Sequence, residues 1–129
     1  MIPVDTNLLV RLLTSDDPDQ ARRAARIMES DDIFIPKTVM LETEWVLRHA
    51  YGIEKVNIIK GFQRLLGLRN VSVEYPDNLI QAISWHEDGL DFADALHLAS
   101  SKRADKFATF DSALIKKARQ ASSIQVIKA

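Results

Sequence analysis

Short apolar runs alternating with helical patterns along 129 residues predict an α/β protein with a mostly parallel central sheet of about five strands flanked by helices. Two observations carry this expectation. Ile33-Phe34-Ile35, Val71-Ser72-Val73 and Phe107-Ala108-Thr109 are too short for helices and rich in β-formers. Between such runs lies enough chain for one or two crossover helices, which parallel strands need and hairpins do not. Repeats, low-complexity tracts and linkers are absent, and the length suits one domain spanning residues 1–129.

Each element has a local cause. Ile2-Pro3-Val4 reads as the first strand, with Pro3 confined to its start or an unpaired edge because it lacks an N–H. Asn7 to Thr14 (NLLVRLLT) reads as helix. Asp17-Pro18-Asp19-Gln20 starts the next helix, with Asp17 as N-cap, Pro18 at the first helical position and Gln20 completing a capping-box pattern; it runs to about Ser30. Pro36 ends the strand Ile33 to Ile35. Thr38 to about Ala50 has helical spacing and closes at Tyr51-Gly52, where Gly52 can take the left-handed position. A helix over Glu54 to Leu66 stops at Gly67, and Val71 to Val73 is the third strand. Asp77 to Glu87 is helical and broken by Gly89; Asp91 to Ala104 is helical again. Phe107 to Thr109 is the fourth strand, Asp111 to about Ala121 a helix, and Ile124 to Ile127 the last strand.

Composition removes several function classes. Hydrophobic residues make up 47% and charged residues 27%, ordinary for a folded globular chain. With no cysteine there is neither a disulfide framework nor a thiolate zinc site, which suits a reducing, cytoplasmic setting. The N-terminal MIPVDTNLLVRLL lacks a basic leader pattern, and no stretch reaches about 18 apolar residues, so neither secretion nor membrane insertion is expected. A net charge of −1 argues against a general nucleic-acid coat. An enzyme that meets phosphate through metal ions needs only a local basic rim, which Arg11, Arg22, Arg23, Arg26, Arg48, Lys102, Arg103, Lys116 and Lys117 could supply; the plainer role of each is a solvated helix face. No G-x-S-x-G, P-loop or G-x-G-x-x-G occurs, and His49, His86 and His97 lack metal-ligand spacing. His97 lies close enough to Asp94 in sequence to touch a site there, although a surface or packing role is simpler.

Acidic residues, by contrast, stand where strand-like or apolar segments meet helices: Asp5 in IPVDTN, Glu42 in VMLETEW, Asp94 in DFADALHLA and Asp111 in FATFD. Carboxylates without cysteine are the ligand chemistry of Mg²⁺ or Mn²⁺ and point to metal-dependent phosphodiester hydrolysis. Asp5 and Asp111 follow strands at positions where an N-cap is the structural alternative. In open parallel sheets, sites form at those strand ends. Glu42 falls between Trp45 and Val46 on a helical wheel, whereas Glu44 shares the opposite sector with Arg48 as a solvated i,i+4 pair. A carboxylate flanked by apolar residues needs a partner, which a metal or an arginine would provide. Asp91 reads as the N-cap of its helix and also as a second-metal or outer ligand. Asp94 borders the apolar side near Leu98 and is the stronger ligand candidate.

Taken together, VDTNLLVRLLTSDDPDQA, IPKTVMLETEWVLRHAYG, GLDFADALHLAS and FATFDSALIKKA resemble the PIN-domain ribonucleases, in particular the VapC-type toxins of toxin–antitoxin pairs, over nearly the whole chain and in the same motif order. The resemblance implies a Mg²⁺- or Mn²⁺-dependent endoribonuclease whose acidic pocket is formed by Asp5, Glu42, Asp94 and Asp111, with Asp91 as an additional acid. It also implies that Asn7 orients the first Asp and that Thr109 supports the last. Two metal ions about 3.5–4 Å apart would divide water activation from leaving-group stabilisation, leaving 3′-hydroxyl and 5′-phosphate ends. An RNA substrate, a cognate antitoxin and a homodimer are the expected partners. A noncatalytic RNA-binding or scaffold module of the same fold is the alternative. An aspartyl-nucleophile phosphatase is disfavoured, because Asp5-Thr6-Asn7 lacks the second acid of D-x-D.

Overall fold

The computed structural model describes residues 1–129. In chain order the elements are β1 (Ile2–Pro3), α1 (Thr6–Thr14), α2 (Pro18–Ser30), β2 (Ile33–Ile35), α3 (Lys37–His49), α4 (Lys55–Leu66), β3 (Val71–Val73), α5 (Pro76–Glu87), α6 (Phe92–Ala99), β4 (Lys106–Thr109), α7 (Ser112–Ala121) and β5 (Gln125–Lys128). The α/β class and the parallel strands expected from the sequence are present. The chain divides into two compact units, Met1–Pro76 and Asp77–Ala129.

In the first unit β1, β2 and β3 form a parallel sheet in that order, with Ile2 opposite Ile33 and Ile33 opposite Val71. Two helices cross over between each pair of strands, as parallel pairing demands. Ile2 and Val4 donate to the Asp32 and Phe34 carbonyls at 2.7 and 3.1 Å. In a parallel ladder the intervening residue points its N–H the other way, so Pro3 costs β1 no bond to β2 and leaves the opposite edge one donor short. Ile33, Ile35, Leu9, Met40, Leu47 and Phe62 are fully buried.

The second unit holds a two-stranded parallel sheet, β4 and β5, joined through α7, with Phe107 opposite Val126. The expectation of one five-stranded sheet is therefore corrected: the five strands are all parallel but divide into sheets of three and two. Leu79, Phe92, Leu98, Ala118 and Val126 are buried in this half.

Local signals held at most helix starts. The Asp17 carboxylate accepts from the Gln20 N–H at 3.1 Å with Pro18 in the first turn, and Gly52 takes φ +61° after α3. A second correction concerns α6, which ends at Ala99 rather than Ala104. The Ser100 and Ser101 hydroxyls donate back to the Leu96 and His97 carbonyls at 2.6 and 2.8 Å, competing with backbone donors that would have extended the helix.

Candidate functional site

Two of the expected acids belong to the first unit. Asp5 is exposed and caps α1, its Oδ1 accepting from the Leu8 N–H at 3.0 Å. Capping occupies one oxygen, so the N-cap role and a ligand role are compatible. Glu42 lies on α3, where its Oε1 accepts a short hydrogen bond from the Thr6 hydroxyl of α1. Thr6 is itself buried, so this donor is held in place by packing and points Glu42 toward the start of α1. Thr6 was not singled out in the sequence, where Asn7 was expected to do the orienting. Asn7 is exposed and its side chain makes no hydrogen bond. The available signal was the threonine next to Asp5, whose partner stands 36 residues away and is invisible locally.

The helical-wheel argument that separated Glu42 from Glu44 is overturned. Trp45 is 56% exposed, and the buried side of α3 is Met40, Thr43, Glu44 and Leu47. Glu44, at 2% exposure, is not a solvated partner of Arg48. Its carboxylate is buried and accepts from Arg48 Nε and Nη2 at 2.8 and 3.2 Å. The arginine neutralises a charge that burial would otherwise penalise by several kcal/mol. Glu44 thus has the partner that had been sought for Glu42, and Glu42 is exposed on the other side of α3.

The second unit brings three acids into mutual electrostatic range. Asp91 Oδ2 accepts from the Asp94 N–H at 3.2 Å as the N-cap of α6. Asp111 caps α7, its Oδ1 accepting from Ala113 and Leu114 N–H groups at 2.9 and 3.1 Å. Thr109 Oγ1 accepts from the Asp111 N–H at 3.0 Å and so fixes the turn that aims this acid. Half-buried Asp94 has its pKa raised, first by burial and then by the charges of Asp91 and Asp111; exposed His97 and Lys117 oppose the rise. Within neither unit do three acidic or histidine side chains close on one another as a complete metal-binding group.

Of the cations expected to form a rim, Arg11 is committed to Asp16, Tyr51 and Gln20, and Arg48 to Glu44. Arg22 and Arg23 make only long, exposed contacts of 3.8 Å to Asp19. Arg26, Lys102, Arg103, Lys116 and Lys117 are exposed.

Strand-end acids in both units, arranged along parallel βα segments, narrow the fold families to those with acidic sites. The PIN-domain family model matches residues 2–120. The chain belongs to the PIN-domain family. No curated protein is a significant match. PIN domains are in general nucleases that require a divalent metal, and the match runs through both units and all five acids. The donor set fits such an ion: every candidate ligand is a hard carboxylate oxygen, no thiol competes, and Asp94 sits among like charges that a cation would relieve. None of the helices is long and apolar enough to cross a membrane.

Proposed function

We propose that this PIN domain is a Mg²⁺- or Mn²⁺-dependent endoribonuclease acting as the toxin of a toxin–antitoxin pair in the cytoplasm. The observation that carries the metal-dependent reading is half-buried Asp94 beside Asp91 and Asp111, where burial first and those two charges next raise its pKa against the smaller opposing effect of His97 and Lys117. The resemblance gives ligand roles to Asp5 and Glu42 in the first unit and to Asp94 and Asp111 in the second, with Asp91 as an outer ligand. When bound, such a cation lowers the pKa of water and stabilises the leaving oxygen of a phosphodiester. Thr6 holds the Glu42 carboxylate in one orientation, and Thr109 does the same for Asp111 through its backbone. Asp5 and Asp111 each cap a helix through Oδ1, so their orientation is set before any ligand arrives.

The partner assignments rest on the resemblance and on one feature of the first unit. Leu12, Leu13 and Ile53, with Asn57, Lys60 and Arg64, line a groove of about 530 Å³ whose mixed apolar and basic lining suits an amphipathic antitoxin helix. An antitoxin Arg or Lys placed among the carboxylates would compete with the metal, and a homodimer completes the proposed assembly.

Purified protein free of antitoxin is expected to cut a defined RNA with Mg²⁺ or Mn²⁺, to stop in EDTA, and to melt at a higher temperature when metal is added. Equal cleavage in EDTA would refute the metal-dependent reading. RNA binding without cleavage under every divalent ion would favour the noncatalytic module.

A further inference from the structure

The exposed side of α3 carries one stripe: Thr38, Glu42, Trp45 and His49 are all exposed and fall within about 60° of the helix surface. Glu42 is the candidate ligand fixed by Thr6. Trp45 stands about 4.5 Å further along the axis and His49 about 10.5 Å. Their rings lie 4.7 Å apart at 41°, which holds the indole against the imidazole. Arg48 Nη1 is 3.0 Å from His49 Nε2; because a guanidinium can only donate, Nε2 accepts and the imidazole edge carries an adjacent positive charge.

An indole left 56% exposed gives up a large hydrophobic gain, so its position calls for a reason. On α3 it is the one large apolar residue that is exposed, and its companions on the stripe are threonine, glutamate and histidine. Large contiguous exposed apolar patches mark protein-interaction sites, and the stripe carries a single large apolar ring. A single ring buttressed by a second ring, with a guanidinium at its edge and polar groups around it, is what a nucleobase uses for stacking.

We infer that Trp45, held by His49, is a stacking platform for a base of single-stranded RNA next to the phosphate handled at Glu42. This rests on the nuclease reading, since it takes RNA as the ligand and Glu42 as the neighbouring site. Stacking is tolerant of base identity, so Trp45 positions the strand rather than reading its sequence.

The chain has two tryptophans, and Trp85 is buried, so a solvent-exposed emission component reports Trp45. The test titrates the full chain in EDTA with a short single-stranded oligoribonucleotide bearing 2′-O-methyl groups, following tryptophan emission and affinity together. The expected result is quenching of the exposed component, lost in Trp45→Ala, with affinity reduced about 5- to 100-fold in that variant and within about threefold of the parent in Trp45→Phe. Unchanged emission on RNA binding, with Trp45→Ala binding as tightly as the parent, would overturn the inference. Emission that depends on protein concentration without RNA, together with a Trp45→Ala monomer of undiminished RNA affinity, would also overturn it and assign the ring to a second copy. Quenching with no cleavage of unmodified RNA in Mn²⁺ would refute the proposed nuclease activity while supporting the platform.

Discussion

Replacing Glu42 and Glu44 one at a time separates two acids that are neighbours in sequence and opposites in environment. Glu44 is buried and chelates Arg48 through two hydrogen bonds. Glutamine keeps an acceptor there but removes the charge, and charge-assisted bonds exceed neutral ones by about 1–2 kcal/mol. Arg48 is 37% exposed and can turn to water, so the expected loss lies near the lower end, about 1 kcal/mol. Alanine also removes a buried methylene worth about 0.8 kcal/mol and opens a small cavity, bringing the loss to about 2–3 kcal/mol. In a chain of this size each kcal/mol lowers Tm by roughly 3–5 °C. Glu42 is exposed, so Glu42→Gln is expected to change stability by less than about 0.5 kcal/mol. Urea unfolding measures the first effect, and cleavage per folded molecule with Mn²⁺ measures the second. Glu42→Gln should lose cleavage and keep its stability; Glu44→Gln should do the reverse. A folded Glu44→Gln protein that has lost as much cleavage as Glu42→Gln would refute this division of roles.

Three further outcomes are expected. Thr6→Val should lower metal affinity or cleavage by about 10- to 100-fold with a stability change of about 1 kcal/mol or less, whereas Thr6→Ser keeps the donor and should behave like the parent; metal titration and cleavage rates check both. In chelator, Asp94→Asn should melt higher than the parent at neutral pH. Because the folded pKa of Asp94 is raised, the parent recovers that deficit as pH falls through it, so the advantage should vanish in acid, as melting at several pH values would show. Asp16 has its pKa lowered, first by the Tyr51 hydroxyl and also by Arg11 and Thr14, against the opposing effect of burial. Its contribution is present above the unfolded carboxylate range and lost as pH falls through the depressed folded value. Asp16→Asn should therefore destabilise at neutral pH and converge with the parent in acid, read by acid-unfolding curves.

What could be read from the residues alone was whatever local chemistry determines. The starts of α2, α6 and α7 at Asp17, Asp91 and Asp111 were legible because an N-cap satisfies donors two or three residues on, and the Gly52 turn because it needs a left-handed backbone. The α/β order was legible because strand and helix differ in period and length. One local feature misled: the serines that end α6 offer donors no periodicity count includes. The orientation of α3 was a tertiary decision. Its buried side contains Thr43 and Glu44 while Trp45 faces solvent, so counting apolar residues chose the wrong side; the deciding terms were the Arg48 pair for Glu44 and the Thr6 hydroxyl for Glu42. Hydroxyl and carboxylate meet there only because α1 packs on α3, and the Asp94 pKa rises because folding half-buries that acid and also holds Asp91 and Asp111 near it. Residue types and caps are written in the chain, whereas the environment that turns a carboxylate into a core ion pair or an exposed candidate ligand comes from what packs against it.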